Sequence, residues 1–367
     1  MDARAQLEKA IAAIGSLPNA DGGIPATRSG EESGAWTTAS CLEALLESGH
    51  TPLSLHSVCH GMLKFLLEMQ TPDGGWPLAN STESSTLATG HAVTALQLAR
   101  TDPQSLTSAE KAAVDNAAAR GTAWLIAHQN PDGGWGVQPS GGSDGSASRI
   151  AAVFYALRPF FYCGETAKSS QIVQRATTLL AGRQSHDGGW PFFNGDEVDK
   201  SSSVSNTARA VICLVHSGYS PSATAIREGL DFIASERLSG SSWRIGIEGF
   251  YATESNAQNI YHNNTPCDAL EAFLVCGNRG RPTTEALTWL LNSQGRLGFW
   301  PLTSPDPDQV PRQHYSPGVT WCTSEFVHVV SMALRQHEGD FAVDRRRDSI
   351  ADRIRSWTRR GFRARRP

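Results

Sequence analysis

A short motif recurs along this chain at nearly regular intervals, and it limits the possible folds more than any other feature. The clearest copies are QTPDGGWP at 70–77, QNPDGGWG at 129–136 and QSHDGGWP at 184–191. Three weaker copies complete a set of six. Their central apolar residues are 52 to 59 residues apart: Ile24, Trp76, Trp135, Trp190, Trp243 and Trp300. Such a period indicates one supersecondary unit stacking on the next.

The segments between the motifs have helical patterns. An amphipathic run such as 55–70 precedes each motif, and a second run such as 86–99 follows it. The second runs are apolar nearly all round, as buried helices are, and no convincing strand alternation is visible. One helical hairpin cannot bury its own apolar face, so the repeats must stack. We therefore predict an all-α, (α/α)6 toroid of six inner and six outer helices over residues 1–340.

The motif itself suits a tight turn. Aspartate caps the turn, and the two glycines permit a left-handed backbone. We expect each tryptophan to fill the space between neighbouring outer helices, in a structural role.

Composition narrows the class of protein further. Apolar residues make up 40% of the chain and charged residues 19%, with no apolar run long enough for a membrane span. The first residues show no secretory signal, and seven cysteines without a spaced framework favour a reducing compartment. We expect a cytoplasmic protein.

The last segment, 341–367, is predicted to be a basic amphipathic helix or tail. Ile350, Ile354 and Trp357 share one face, and ten arginines accompany three aspartates over 343–367. The tail could pack on the body, contact an anionic membrane peripherally, or dock on an acidic partner. Nucleic acid is not expected, because the rest of the chain is acidic.

The Gln-x-x-Asp-Gly-Gly-Trp repeat resembles that of the terpenoid cyclase and protein prenyltransferase superfamily, whose members are α/α toroids. In squalene–hopene-type cyclases an inner helix begins with Asp-x-Asp-Asp-Thr-Ala, and the middle acid protonates an isoprenoid alkene. The matching stretch here is Ser203-Val204-Ser205-Asn206-Thr207-Ala208. All three aspartates are absent and Ser205 occupies the proton donor's position. The resemblance therefore implies that the inherited alkene protonation is lost, since a hydroxyl is far too weak an acid.

A second comparison within the superfamily concerns zinc. Protein prenyltransferases hold zinc with Asp-x-Cys and a histidine, whereas this chain has Thr265-Pro266-Cys267. A site built from His262, Cys267, His314 and Cys322 matches no established spacing. We predict no metal and no other cofactor.

The first turns of the inner helices are expected to surround the mouth of a central cavity. Their helix dipoles favour an anionic group there. Ser203, Ser205, Thr86 and Thr320 could equally be ordinary helix caps. Arg149 and Asp268 are each placed one turn inside an apolar helix, so they should either pair across the ring or point into a pocket. Asp268 is the candidate catalytic acid, and the other predicted cavity or rim residues are Trp36, His91, Arg149, Ser205, Asn206, Asn264, Cys267, Trp321 and Cys322.

Three functions follow from these observations. The chain could bind an isoprenoid or other amphiphilic ligand in an apolar cavity, with catalysis through Asp268 if it is active. It could instead be a non-catalytic sensor or scaffold that binds a protein through the rim and basic tail. It could also be a prenyltransferase-like subunit with a helical partner. The long aromatic loop 239–264 is a candidate lid or contact surface.

Overall fold

The computed structural model describes residues 2–25, 32–49, 52–78, 81–101, 106–139, 146–191, 202–237, 247–252, 258–262, 265–295, 298–300 and 315–337. Within these ranges the backbone forms twelve α-helices, numbered α1 to α12. They are Ala3–Gly15, Ala35–Ser48, His56–Glu68, Thr86–Thr101, Ser108–Ala127, Ile150–Tyr162, Gln171–Ala181, Val204–His216, Thr224–Ser235, Thr265–Val275, Arg281–Asn292 and Tyr315–His337. A short 3-10 helix, Leu53–Leu55, precedes α3.

The even-numbered helices contact one another in a closed cycle. Helix α2 packs on α4, and the contacts continue through α6, α8, α10 and α12, which packs back on α2. The odd-numbered helices pack on these from outside. Burial separates the two sets, since eleven of the thirteen residues of α8 are buried but only three of the twelve in α9. The fold is thus mostly helical, with the even-numbered helices at its centre.

The repeated turn links three neighbouring helices. In the copy at 129–136, Asp132 Oδ1 accepts the Gly134 N–H at 3.0 Å, and Gly133 has a φ of 95°. The Trp135 indole N–H donates to the Leu125 carbonyl at 2.8 Å, which satisfies an otherwise open carbonyl near the end of α5. Gln129 Nε2 reaches the Ile172 carbonyl of the next outer helix at 2.9 Å.

Other copies repeat this bonding. The indole N–H groups of three further tryptophans donate to leucine carbonyls ten residues earlier: Trp76 to Leu66, Trp190 to Leu180 and Trp300 to Leu290. All four of these tryptophans are at most 1% exposed. Their predicted structural role is confirmed, while Trp243 lies outside the described residues.

The last described turn closes the ring on the first helix. Gln294 Nε2 donates to the Gln6 carbonyl of α1 at 2.9 Å. A Cβ at Gly298 would lie only 2.5 Å from the Lys9 carbonyl, so this turn packs directly against α1. Residues nearly 290 positions apart are therefore neighbours, and the first and last repeats complete one layer.

Three short antiparallel strand pairs accompany the helices. Ile24–Pro25 pairs with Ser33–Gly34, and Trp190–Pro191 pairs with Ser202–Ser203. Ile247–Ala252 pairs with Gln258–His262. Residues 239–264 were predicted to be a loop without strands. This was wrong, because part of that segment is a β-hairpin.

Two further predictions concern the C-terminal segment and the absence of a membrane span. The basic segment 341–367 lies outside them, so its separation from the toroid stays a prediction. Within the described ranges, none of the helices combines the length and apolarity required to cross a bilayer.

Candidate functional site

Charged or titratable side chains from all six inner helices meet along the axis of the ring. These helices were predicted to be apolar nearly all round, which is wrong for the face directed at the axis. A charge removed from water requires a partner, and most of these residues are paired with one another. We call them the axial charge cluster: Glu43, Glu47, His91, Arg158, Arg209, Asp268, Glu271, Glu325 and His328.

Asp268, the predicted acid, lies in the first turn of α10 and is 4% exposed. Its Oδ2 is 3.2 Å from Arg209 Nη2 on α8, and Arg209 is only 2% exposed. Burial raises the pKa of Asp268 to about 6, although Arg209 and the Ser205 hydroxyl act in the opposite direction. Asp268 therefore pairs across the ring and also lines a cavity there.

Glu325 on α12 is the second carboxyl group at this point. Burial and the neighbouring Asp268 charge raise the pKa of Glu325 well above its ordinary value, despite the opposing effect of Arg209. The Tyr155 hydroxyl is 3.5 Å from Glu325 Oε1, and the buried Oε2 has no hydrogen-bond partner among the described residues. Two interacting carboxyl groups rarely ionise together, and because Arg209 pairs with Asp268, Glu325 is the one in which the protonated form is favoured.

His91 lies on the opposite part of the same cavity. Its Nδ1 is 2.7 Å from Glu43 Oε2, and both side chains are at most 5% exposed. Burial lowers the pKa of His91, and the charges of Arg158 and His328 lower it further, whereas Glu43 raises it. The imidazole is therefore neutral. Because a carboxylate only accepts hydrogen bonds, we assign the ring proton to Nδ1. His91 Nε2 is then an acceptor, and it has no partner among the described residues.

His328 lies between two glutamates of the cluster. Its Nδ1 is 2.5 Å from Glu47 Oε2, and its Nε2 is 3.2 Å from Glu271 Oε1. Burial opposes its charge, but the two carboxylates raise the pKa of His328 to about 10. The resulting imidazolium joins α2, α10 and α12. Arg335 Nη1 adds a hydrogen bond to the Glu47 carbonyl at 3.0 Å.

The cavity within this cluster is small. Its free volume is about 20 Å³, and His91, Cys267, Asp268 and Glu325 are among the residues that line it. Such a space holds about one water molecule, whereas pockets for drug-sized ligands have roughly 300 to 1,000 Å³. Binding of an amphiphilic ligand was predicted to require an apolar pocket at the centre. At the level of the cluster, charged side chains occupy the axis instead.

Two predicted rim residues form an aromatic pair. The rings of Trp36, in the first turn of α2, and Trp321 of α12 are 5.8 Å apart and inclined by 38°. Both indole Nε1 atoms are buried without a hydrogen-bond partner in the described part of the chain. Trp321 lies well inside α12, because this helix begins at Tyr315 rather than near Thr320 as predicted. Neighbouring Cys322 is fully buried, which raises the pKa of its thiol.

The stretch aligned with the cyclase acid motif is mainly structural. Ser203 Oγ accepts the Asn206 N–H at 3.1 Å and caps α8. Thr207 Oγ1 accepts the Trp190 N–H at 2.9 Å, and Asn206 Nδ2 donates to the Pro191 carbonyl at 3.2 Å. Ser205 differs from these residues, since its buried hydroxyl is 3.1 Å from Thr265 Oγ1 and also interacts with Asp268.

Other predicted residues lie elsewhere. Arg149 was expected one turn inside α6, but it is the residue before the first turn, with extended φ and ψ, and it is half-buried away from the cavity. Its N–H donates to the Trp135 carbonyl, which fixes it at the helix start. Thr86 Oγ1 donates to the Gly136 carbonyl, and Ser85 caps α4 instead. Asn264 and His314 are outside the described residues.

The described residues contain no group of three histidine, cysteine, aspartate or glutamate side chains arranged to hold a metal ion. Cys267 is 3% exposed and lines the cavity, but it belongs to no such group among the described residues.

Sequence reasoning missed most of the axial charge cluster. A usable signal was present, because Glu43, Arg158, Arg209, Glu271 and His328 interrupt apolar runs of the inner helices. A charge in such a run predicts a buried partner. The sequence does not say which helix supplies that partner.

Two family models match this chain. The squalene-hopene cyclase C-terminal domain matches residues 27–145, and the prenyltransferase alpha-alpha toroid domain matches residues 136–294.

Among curated proteins, the drimenyl diphosphate synthase of Streptantibioticus cattleyicolor is 29% identical over 233 residues, which cover 63% of this chain and 40% of that enzyme. The lanosterol synthase of Saccharomyces cerevisiae is 30% identical over 130 residues, covering 34% of this chain and 17% of the synthase. The chain thus matches less than half the length of these relatives.

Several solved structures are similar to this chain in fold. A variant of the type II terpene cyclase MstE from Scytonema, in complex with its product merosterolic acid A, has a TM-score of 0.59 at 16% identity. The match covers 90% of this chain and 96% of that one. A glycosidase gives a TM-score of 0.61 at 12% identity, over 90% and 97% of the two chains, so the fold alone does not select a reaction. The motif, the helix arrangement and both family models agree that the chain belongs to the squalene–hopene cyclase and prenyltransferase α/α-toroid superfamily and is a homologue of class II terpene cyclases.

Proposed function

We propose that this chain is a closed (α/α)6 toroid that binds an isoprenoid-like or other amphiphilic ligand and protonates it with a carboxylic acid located differently from the cyclase motif. One observation carries the proposal. Asp268 and Glu325 line the same cavity, Asp268 interacts with Ser205, and the pKa values of both carboxyl groups are raised, which favours a retained proton there. The acid absent from α8 would thus be replaced from α10 and α12.

The two carboxyl groups have different tasks in this proposal. Asp268 is paired with Arg209, so it is held mainly as the carboxylate. Its charge keeps Glu325 protonated, and Glu325 is the proton donor. Protonation of an alkene requires such an acid in a site from which water is largely excluded.

Aromatic side chains near the acid suit the cation that would form. The Tyr155 hydroxyl approaches Glu325, and the paired rings of Trp36 and Trp321 belong to α2 and α12, two of the six helices that contribute to the cluster. Aromatic faces stabilise cations by about 0.5 to 2 kcal/mol each. Because the cavity of about 20 Å³ cannot hold a polyprene, the ligand would lie on the tryptophan side with only its reactive end at Glu325.

The comparisons support an isoprenoid as the ligand class. A variant of MstE from Scytonema binds geranylgeranyl dihydroxybenzoate as substrate. The names of the curated relatives likewise refer to products built from isoprene units.

The test is incubation of the purified chain with farnesyl diphosphate, geranylgeranyl diphosphate and squalene, followed by product analysis. Glu325→Gln should reduce product formation by about 10² or more, since it removes the acid proton at constant shape. Asp268→Asn should also reduce it, because Glu325 then ionises to pair with Arg209. Asp115→Asn, on the outer surface, is the matched control. Product formation that is unaffected by Glu325→Gln would contradict the proposal, as would the absence of product from all three probes.

A second candidate is the non-catalytic sensor or scaffold that binds a protein through the toroid rim and the basic tail. The specific observation in its favour is the filled axis, where ion pairs leave only about 20 Å³ free. Mass spectrometry of the purified protein separates the two candidates. A co-purifying lipid supports the first, and its absence together with absent turnover supports the second. No observation on the described residues favours the prenyltransferase-like subunit.

A further inference from the structure

The six inner helices end on one face of the ring. Hydrogen bonds join their neighbouring ends: Arg335 to the Glu47 carbonyl, Tyr162 to the Glu47 carboxylate, Gln336 to the Leu274 carbonyl, Gln97 to the Cys163 sulfur and Ala167 to the Ser217 carbonyl. The carbonyl end of a helix carries about half a negative elementary charge. This face of the ring therefore favours cationic groups.

Side chains partly open to solvent lie on this face, beyond the axial charge cluster. Phe161 follows Arg158 by three residues on α6, and Val275 follows Glu271 by four on α10, so both continue the helix faces that carry the cluster. The Phe161 ring is 5.5 Å from the ring of His216, the last residue of α8. All three side chains are half-buried. We call Phe161, His216 and Val275 the axial end surface.

The chain leaves this same face with a segment of matching chemistry. Helix α12 ends at His337, and residues 338–367 lie outside the described part of the chain. Ten arginines and three aspartates occur over 343–367, and Ile350, Ile354 and Trp357 have the spacing of one helix face, which we call the apolar stripe. The segment thus combines the positive charge that the helix ends favour with apolar side chains that suit the axial end surface.

The linker between α12 and the apolar stripe is long enough to return to the axis. Residues 338–349 can span up to about 40 Å when extended. Neighbouring helices pack about 8 to 10 Å apart, so the centre of a ring of six lies at roughly the same distance from α12. The tether also gives the segment an effective concentration in roughly the millimolar range, which a separate partner lacks.

We propose that the segment 341–367 docks on the axial end surface of its own chain as an amphipathic helix. Its apolar stripe covers Phe161 and Val275, and its arginines reach the carbonyl ends of the inner helices. Arg335 shows this mode of binding within the described chain, since its Nη1 donates to the Glu47 and Ser48 carbonyls at 3.0 and 3.4 Å.

Docking closes the end of the axial charge cluster that is opposite the Trp36–Trp321 pair. Glu47 and His328, whose side chains are 7% and 9% exposed, then lose their remaining contact with solvent. A ligand reaches the cluster from the tryptophan side. The docking needs neither a ligand nor turnover, so it is independent of the proposed function.

Photo-crosslinking of the full chain tests the contact. Trp357 is replaced by benzoylphenylalanine, and mass spectrometry identifies the peptide to which it attaches. Crosslinks should form within one chain, to the peptides that contain Phe161 or Val275. Phe161→Ser should reduce their yield about fivefold or more, because it removes most of the apolar area of one contact. Ile126→Ser, at a position 42% exposed on the outer helix α5, is the matched control.

Hydrogen exchange supplies a second test that leaves the axial end surface unchanged. Trp357→Ser should speed amide exchange in the last turns of α6 and α10 by about tenfold, since the segment no longer covers and stabilises them. Trp357→Phe keeps an aromatic ring in the apolar stripe and should retain the protection of the wild type. This comparison decides the question even if Phe161→Ser does not fold.

Three results would overturn the inference. Crosslinks that join two copies of the chain would assign the segment to a dimer interface. Crosslinks that form only with added phosphatidylglycerol vesicles would assign it to a membrane surface. Equal amide exchange in Trp357→Ser and the wild type, at the ends of both α6 and α10, would show that the segment does not cover them.

Discussion

The arrangement around Arg209 predicts an unusual result for the stability of charge-removing variants. Arg209 is 2% exposed and requires a counterion, which is Asp268 in the wild type. Removing one partner of a buried ion pair ordinarily costs about 3 to 5 kcal/mol, because the remaining charge is left alone in a medium of low polarity. Here a second carboxyl group, Glu325, is present, and burial together with the Asp268 charge raises its pKa so that the neutral form is favoured.

Asp268→Asn should therefore cost less than an ordinary buried pair. The variant removes the Asp268 charge, one of the two effects that raise the pKa of Glu325, and leaves the opposing Arg209 charge in place, so Glu325 ionises and pairs with Arg209. We expect a loss of about 1 to 2 kcal/mol in the free energy of unfolding. Glu325→Gln replaces a neutral acid by an amide of the same shape and should cost under about 1 kcal/mol. The double variant leaves Arg209 without either carboxylate and should cost about 3 to 5 kcal/mol.

The assay is urea unfolding at pH 7, followed by circular dichroism, for the wild type, both single variants and the double variant. The coupling free energy should be about 1 to 2 kcal/mol or more, in the sense that the double variant is worse than the sum. Adding Arg209→Met to the double variant should recover stability, because an apolar side chain needs no counterion. Asp115→Asn breaks the partly exposed pair with Arg100 and should cost under about 1 kcal/mol. Additive single effects would refute the shared-counterion reasoning.

Three further predictions concern the repeat and its packing. Trp135→Phe should cost about 1 to 3 kcal/mol in thermal unfolding, because it leaves a buried helix-end carbonyl without its indole N–H donor; an unchanged midpoint would contradict this. Gly90→Ala should destabilise the chain strongly, since its Cβ would lie 2.2 Å from the backbone oxygen of Tyr155. Gly61→Ala is the control: the nearest contact of its Cβ is 3.6 Å, so it should be neutral or stabilising by up to about 1 kcal/mol. Equal effects of the two variants would refute the packing argument. For Asp73, burial raises the pKa but hydrogen bonds led by that from Thr71 lower it to about 2, below the unfolded value. Its stabilisation should thus be present above about pH 4 and be lost as the pH falls to about 2, and acid unfolding of Asp73→Asn should lack that component; parallel pH profiles for the wild type and variant would contradict this assignment.

The repeat could be read from the sequence because its chemistry is local. Asp132, Gly133 and Trp135 bond within a few residues of one another or to a helix ten residues away, so their spacing alone predicts the turn. The same holds for the alternation of outer and inner helices, which follows from apolar periodicity. The sequence also places the Ser205 hydroxyl at the position of the family's acid, and the loss of alkene protonation expected from it stays a prediction.

The local reasoning failed where position along a helix decides the role. Arg149 was expected inside α6, but the helix begins one residue later. Thr86 was expected to cap α4, but its neighbour Ser85 accepts the backbone N–H instead. The difference is one residue for Thr86 and about one helical turn for Arg149, and the exact start of a helix depends on packing with the preceding turn.

The sequence by itself determined that this chain is a ring of helical hairpins joined by one repeated turn, and that the acid of the cyclase motif is missing. Only the tertiary structure decided which charged side chains meet at the axis. Glu47 and His328 are 281 residues apart, and Arg209 and Asp268 are 59 apart, yet closing the ring brings these charges within hydrogen-bond distance. A pKa depends on burial and on nearby charges in space, and neither is encoded in the order of residues along one helix.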